Sequence, residues 1–175
     1  MIRRLAIVPA RSGSKRIKNK NIKNFCGQPI INITISNLLK SKLFHTIHVS
    51  TDSNKIKKVV EKKINIDFLR PIKLSQDSTS TFDVLKYVVE EYENKNIFFQ
   101  EVWLVNACSP LINHKDYKNA LKIFKKKNSK FPLMPICQFP VPIEWAYKKL
   151  NDSTVTPINY TYVNKRSQLF KKKYY

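Results

Sequence analysis

Glycine is almost missing. The 175 residues hold two, Gly13 and Gly27. Neither glycine-rich nucleotide signature occurs, G-x-x-x-x-G-K-[ST] or G-x-G-x-x-G. Acid is scarce as well: twelve Asp and Glu stand against 33 Lys and Arg, a formal net charge of +21. The three cysteines, Cys26, Cys108 and Cys137, are odd in number and widely spaced. That spacing excludes a disulfide scaffold and a zinc pattern, and fits reduced thiols in a cytoplasm. His45, His48 and His114 show no metal-ligand spacing either. No apolar run is long enough to span a bilayer. The first residues carry two arginines and a short apolar run that basic residues follow at once, so they read as mature protein rather than a signal peptide.

What is present is a folding sequence, 42% hydrophobic and 11% aromatic, of a length that suits one domain. The positive charge is mostly lysine: 27 Lys and 6 Arg, beside 19 Ile, 16 Asn and 5 Ala. That bias points to AT-rich coding. The lysines are scattered over separate segments, which reads as solvated helix faces and not as a dedicated nucleic-acid surface. The excess charge still favours polyanionic ligands.

Strand and helix signals alternate. Leu5–Val8, Thr46–Ser50 and Glu101–Asn106 read as buried strands, with Asp67–Leu69 and Pro132–Gln138 as further strands. Pro29–Leu39, Asn54–Ile64, Thr81–Tyr92 and Asp116–Lys126 carry helical spacing. The alternation predicts a Rossmann-like α/β fold, a mostly parallel sheet with helices on both faces. Ligands of such folds bind at the strand C-termini. The unusual loops fall there: 9–23, Thr51-Asp52, 70–81 and Ala107–Leu111. Asp52 is ambiguous between a ligand contact and a cap of the helix near Asn54. Asp77 reads as a turn residue and Cys108 as a packed thiol.

The loop after the first strand, VPARSGSKRIKNKNI, joins small residues to five cations. Backbone N–H groups, Arg and Lys together make an anion site in outline, and Ser12, Gly13 and Ser14 leave room for phosphate to approach.

This loop closely resembles the P-A-R-x-G-S-K-R-x-x-x-K-N-I loop of the sugar-acid cytidylyltransferases, the CMP-nonulosonate synthetases. FCGQPIINITI, HVSTD, FLRPIKLSQDSTST and VNACSPLI continue the likeness. QFPVPIEWAYK and KRSQ are similar to the pseudaminic acid branch. The resemblance runs over essentially the whole chain and implies a nucleotide-diphospho-sugar transferase type of fold. It implies transfer of CMP from CTP to a nonulosonic acid, pseudaminic acid-like, with sialic or legionaminic acid as the alternative sugar. A catalytically inactive nucleotide-binding remnant is the alternative from another class.

Residue by residue, the resemblance places Arg11 and Lys20 on the triphosphate as the catalytic cations, with the Ser12–Lys15 backbone, including Gly13 and Ser14, cradling it. Asn21 and Arg70 would sit at the base, with Ser80 and Thr81 lining its pocket. Asn106, where the family usually has Gln, and Arg166 and Gln168 would face the sugar acid. The resemblance also implies Mg²⁺, held by a late Asp whose place falls just after Tyr175, so weak or absent turnover is expected of this chain. It implies a homodimer through 139–168, no membrane and no dedicated nucleic acid. It treats 1–175 as a single cytidylyltransferase domain.

Overall fold

The computed structural model describes residues 2–15, 17–127, 130–150 and 154–175. Arg16 of the basic loop, and 151–153 within the 139–168 segment, lie outside the described residues. The chain divides into two compact units, Met1–Ser129 and Lys130–Tyr175.

The first unit begins with β1 (Arg4–Pro9), whose central residues Leu5 to Val8 are all buried. A short hairpin follows, β2 (Asn24–Phe25) and β3 (Gln28–Pro29). Its two-residue turn puts Cys26 at φ 49° and Gly27 at φ 84°, the left-handed pair that a tight hairpin demands. This is the glycine whose conformation matters. Then come α1 (Ile30–Ser41), β4 (Thr46–Ser50), α2 (Asn54–Val60), α3 (Thr81–Glu93), β5 (Glu101–Leu104) and α4 (His114–Lys126).

Three strands pair in parallel in the order β4-β1-β5. The strand order reverses at β1, the switch point where a crevice opens in such sheets. Alternation along β1 divides the core. Ala6 and Val8 face Ile31, Ile35 and Leu38 of α1, with Ile56 and Val60 of α2 and Tyr117 of α4. Leu5 and Ile7 face Val88 and Tyr92 of α3. Helices thus cover both faces, as the alternation predicts. An ion pair ties the sheet across β1 and β5, Arg4 Nε to Glu101 Oε2 at 2.6 Å.

Local chemistry sets the helix starts. Ser80 and Asp83 form a capping box on α3, and Asn113 and Asp116 form one on α4. Ser53, not Asp52, caps α2, accepting from the Ile56 N–H. Three expectations differ. The helix expected over Asn54–Ile64 stops at Val60, where the Lys63 and Ile64 N–H groups both turn back to the Val60 carbonyl. Asp67–Leu69 is no strand: its side chains hold it, Asp67 accepting from Tyr92 Oη at 2.6 Å and Phe68 stacking on His48 at 4.3 Å. Pro132–Gln138 is no strand of the parallel sheet, since prolines remove ladder donors.

The second unit holds that segment. Cys137 and Phe139 pair antiparallel with Tyr175 and Lys173. A hairpin, β6 (Tyr147–Lys149) and β7 (Val155–Pro157), follows. Among the described residues no helix is long and apolar enough to cross a membrane.

His48 gives the first unit a pH signature. Its ring is buried between Phe68 and Tyr92, with Nδ1 at 3.2 Å from Tyr92 Oη. Burial lowers its pKa from 6.5 to about 4. Between those values the unfolded chain takes up a proton that the fold refuses, so stability falls as pH drops through that window. The full loss is about 3 kcal/mol. The carboxylates with depressed pKa values, Asp52, Asp77 and Glu144, act at the acid end of this range and below it. Urea unfolding of the protein at pH 7 and pH 4.5 should show the loss. A His48→Phe variant should lose most of that difference; a slope unchanged in the variant would contradict the assignment.

Candidate functional site

The loops after β1 and β5, with the stretch from Arg70 to the start of α3, border a cavity of about 820 Å³ in the first unit. Arg11, Ser14, Lys15, Lys20, Asn21, Arg70, Ser80, Thr81 and Asn106 line it. Residues that the motifs spread over a hundred positions therefore meet at one sheet edge.

The basic loop is held from behind. Ser12 donates from both its N–H and its hydroxyl to Asp52, at 2.9 and 2.6 Å. Burial pushes the Asp52 carboxyl up, but these bonds outweigh it and hold the group below the usual carboxylate value. Asp52 is thus the loop's anchor and not the cap of α2, and it is not among the residues lining the cavity. Asn21, 7% exposed, closes the loop's far end. Its Nδ2 donates to the Arg11 carbonyl at 3.0 Å, and its Oδ1 accepts from the Cys108 thiol at 3.4 Å. Burial raises the Cys108 pKa, against the opposing charge of Lys20, so the sulfur keeps its proton and acts as a donor. Thr34 of α1 fixes the next stretch, donating to the Ala107 carbonyl at 3.0 Å.

Two details differ from the expected cradle. The Ser12 N–H is committed to Asp52, and the Ser14 N–H to the Ser12 carbonyl at 2.8 Å. Ser12 and Gly13 are not among the cavity's lining residues. A Cβ on Gly13 would meet nothing within 4 Å, so open space surrounds it and no strain requires glycine. The cavity's cationic wall is made of side chains: Arg11, Lys15 and Lys20.

Arg70 is 5% exposed. Its guanidinium donates to the carbonyls of Ser50, at the end of β4, and Leu74, while its own N–H donates to the Thr51 carbonyl at 2.8 Å. It therefore staples the 70–75 stretch to the sheet. Burial pulls its pKa down, and Asp52 opposes the shift. Its Nε is buried without a hydrogen-bond partner among the described residues. Ser80 spends its hydroxyl on the α3 capping box, at 2.7 Å from Asp83 Oδ2.

The sequence reading missed Asp77. It is half-exposed, and its two oxygens reach two cations: Oδ1 lies 2.6 Å from Arg11 Nη2, and Oδ2 pairs with Lys15 Nζ. Lys15 and Arg11 hold its carboxyl below the usual value. Gln76 and Thr79 join it on the cavity wall. The one available signal was an acid set in a motif that closes on a basic loop.

Mg²⁺ has no evident seat here. Among the described residues no three of His, Cys, Asp and Glu come together. The two carboxylates at the loop, Asp52 and Asp77, are engaged by Ser12 and by Arg11 and Lys15. The residues as arranged do not fit the ion.

Arg166 and Gln168 belong to the second unit, at a short turn of 3₁₀ helix, Ser167–Leu169. Both are exposed. Arg166 lines a separate cavity of about 800 Å³ in that unit with Glu144, Tyr162, Lys171 and Lys173.

Comparison with known proteins returns one family. The sequence profile described as cytidylyltransferase matches residues 5–172. A pseudaminic acid cytidylyltransferase of Campylobacter jejuni is 33% identical over 175 residues, covering 99% of this chain and 75% of its own length. A CMP-N,N'-diacetyllegionaminic acid synthase of Legionella pneumophila is 33% identical over 125 residues, covering 71% of this chain and 54% of its own. Among solved structures, a CMP:2-keto-3-deoxy-manno-octonic acid synthetase complexed with CTP superposes with a TM-score of 0.58 at 19% identity. That match covers 78% of this chain, which spans about half (51%) of the synthetase. At that identity the likeness shows the fold.

Proposed function

The chain belongs to the cytidylyltransferase family, and from that premise we propose that it transfers CMP from CTP to a nonulosonic acid of the pseudaminic acid type. The relatives favour that sugar: the pseudaminic acid enzyme matches across nearly the whole chain, the legionaminic acid enzyme across 71% of it. The observation that carries the reading is the cationic wall at the switch point of the sheet, with Arg11, Lys15 and Lys20 facing one cavity.

In this reading the anomeric hydroxyl oxygen of the sugar bonds to the α-phosphorus. The bond from that phosphorus to the bridging oxygen breaks, and pyrophosphate leaves with the electron pair. The hydroxyl proton passes to solvent. Positioning and charge neutralisation supply the catalysis. Arg11, Lys15 and Lys20 hold the β- and γ-phosphates and stabilise the charge that grows on the leaving group. Arg70, fixed by its bonds to Ser50 and Leu74, lines the same cavity and is the residue assigned to the cytosine base. Asn106, just beyond β5, is the sugar-side group of this cavity, and Arg166 carries a guanidinium matched to a carboxylate. The 139–168 segment is the part assigned to dimer contacts. Pyrophosphate release from CTP on adding a nonulosonic acid is the test: release that needs both partners supports the reading, and release indifferent to the nucleotide base opposes it.

A further inference from the structure

Asp77 has the geometry of a phosphate substitute. Each of its carboxylate oxygens meets one cation of the loop after β1: Arg11 Nη2 at 2.6 Å, and Lys15 Nζ. A phosphate would present its oxygens to the same pair in the same way. All three residues line the one cavity. Asp77 is also free to leave. Its side chain is 47% exposed and, among the described residues, bonds to these two cations alone. Asp52 is the contrast, a carboxylate bonded twice to Ser12 and anchoring the loop from behind.

We propose that Asp77 is an internal competitor for the phosphate site: it holds Arg11 and Lys15 together while the site is empty, and the nucleotide's phosphates displace it. The proposal rests on the reading of this cavity as the CTP site. Displacement weakens every phosphate ligand by one common factor. That factor leaves a tightly held triphosphate bound but keeps small anions off a strongly basic protein. It also gives the cations a partner to return to when pyrophosphate departs, which speeds its release.

The test is calorimetric titration of tripolyphosphate, pyrophosphate, CTP and cytidine into the wild-type protein, Asp77→Asn and Glu93→Gln. Glu93 lies at the far end of α3 and controls for net charge. Two half-exposed ion pairs should be worth roughly fivefold. Asp77→Asn is expected to bind all three phosphate ligands about fivefold tighter, with cytidine unchanged. Unchanged or weakened phosphate binding would overturn the proposal, as would equal tightening in Glu93→Gln or failure of tripolyphosphate to bind any of the three proteins. If Asp77→Asn tightens tripolyphosphate while CTP binds no better than tripolyphosphate itself, the competitor stands and the nucleotide assignment fails.

Discussion

An Arg11→Ala variant is expected to bind CTP about a hundredfold more weakly and to keep its fold. The arginine reaches from the end of β1 into the cavity. Among the described residues its guanidinium contacts only the Ser75 carbonyl at 3.3 Å and Asp77 at 2.6 Å. Neither contact is deeply buried, so truncation should leave the melting temperature nearly unchanged. A guanidinium on a triphosphate makes charge-assisted bonds worth about 1.5–3 kcal/mol each. Two of them, less the Asp77 pair given up on binding, leave roughly two orders of magnitude in affinity. Lys18→Ala provides the control: Lys18 belongs to the same loop but is not a cavity residue. Equal CTP affinity in Arg11→Ala and the wild type would remove Arg11 from the site.

Arg70→Ala should instead damage the fold. The side chain is buried, and its loss removes two charge-assisted hydrogen bonds, one to the half-buried Leu74 carbonyl and one to the Ser50 carbonyl, which keeps the Ala10 N–H at 2.9 Å. Losing two such bonds costs about 3 kcal/mol, a fall of roughly 10 °C in melting temperature for a chain of this size. The 71–80 segment, which carries Asp77 and Ser80, would lose its attachment to the sheet. Arg70→Lys should rescue only in part, because one ammonium cannot span both carbonyls as the planar guanidinium does. If Arg70→Ala melts with the wild type, the staple is wrong. If it melts lower yet binds CTP and GTP as the wild type does, the role of Arg70 at the base is wrong.

The sequence made much of this legible, and the parts it hid have a common cause. The first strand, α1, β4, α3 and α4 were readable because each carries a full apolar period over enough residues. Asp67–Leu69 and Pro132–Gln138 looked like strands on short apolar runs. In the structure one is held by Tyr92 and His48, and the other pairs with the chain's last residues. Both partners lie far away in sequence. The site divides in the same way. The loop motif marked Arg11, Lys15, Lys20 and Asn21, and the structure puts them on one cavity. Motif spacing could not show that Asp52 answers Ser12 across 40 positions, or that Asp77 answers Arg11 across 66. It could not show that Arg70's guanidinium is spent on the Ser50 and Leu74 carbonyls either, nor that Ser80's hydroxyl is taken by a helix cap. Charge pairing across loops is a property of the folded sheet edge.

The most direct test of the central claim is pyrophosphate release by the purified protein, with CTP, ATP, GTP or UTP, each with and without pseudaminic acid, in the presence of Mg²⁺. Release with CTP and the sugar acid together, at the weak turnover expected of this chain, and with no other combination, is the result this account predicts. Release with all four nucleotides alike, or none from CTP and any nonulosonic acid by a protein shown to be folded and to bind CTP, would contradict it.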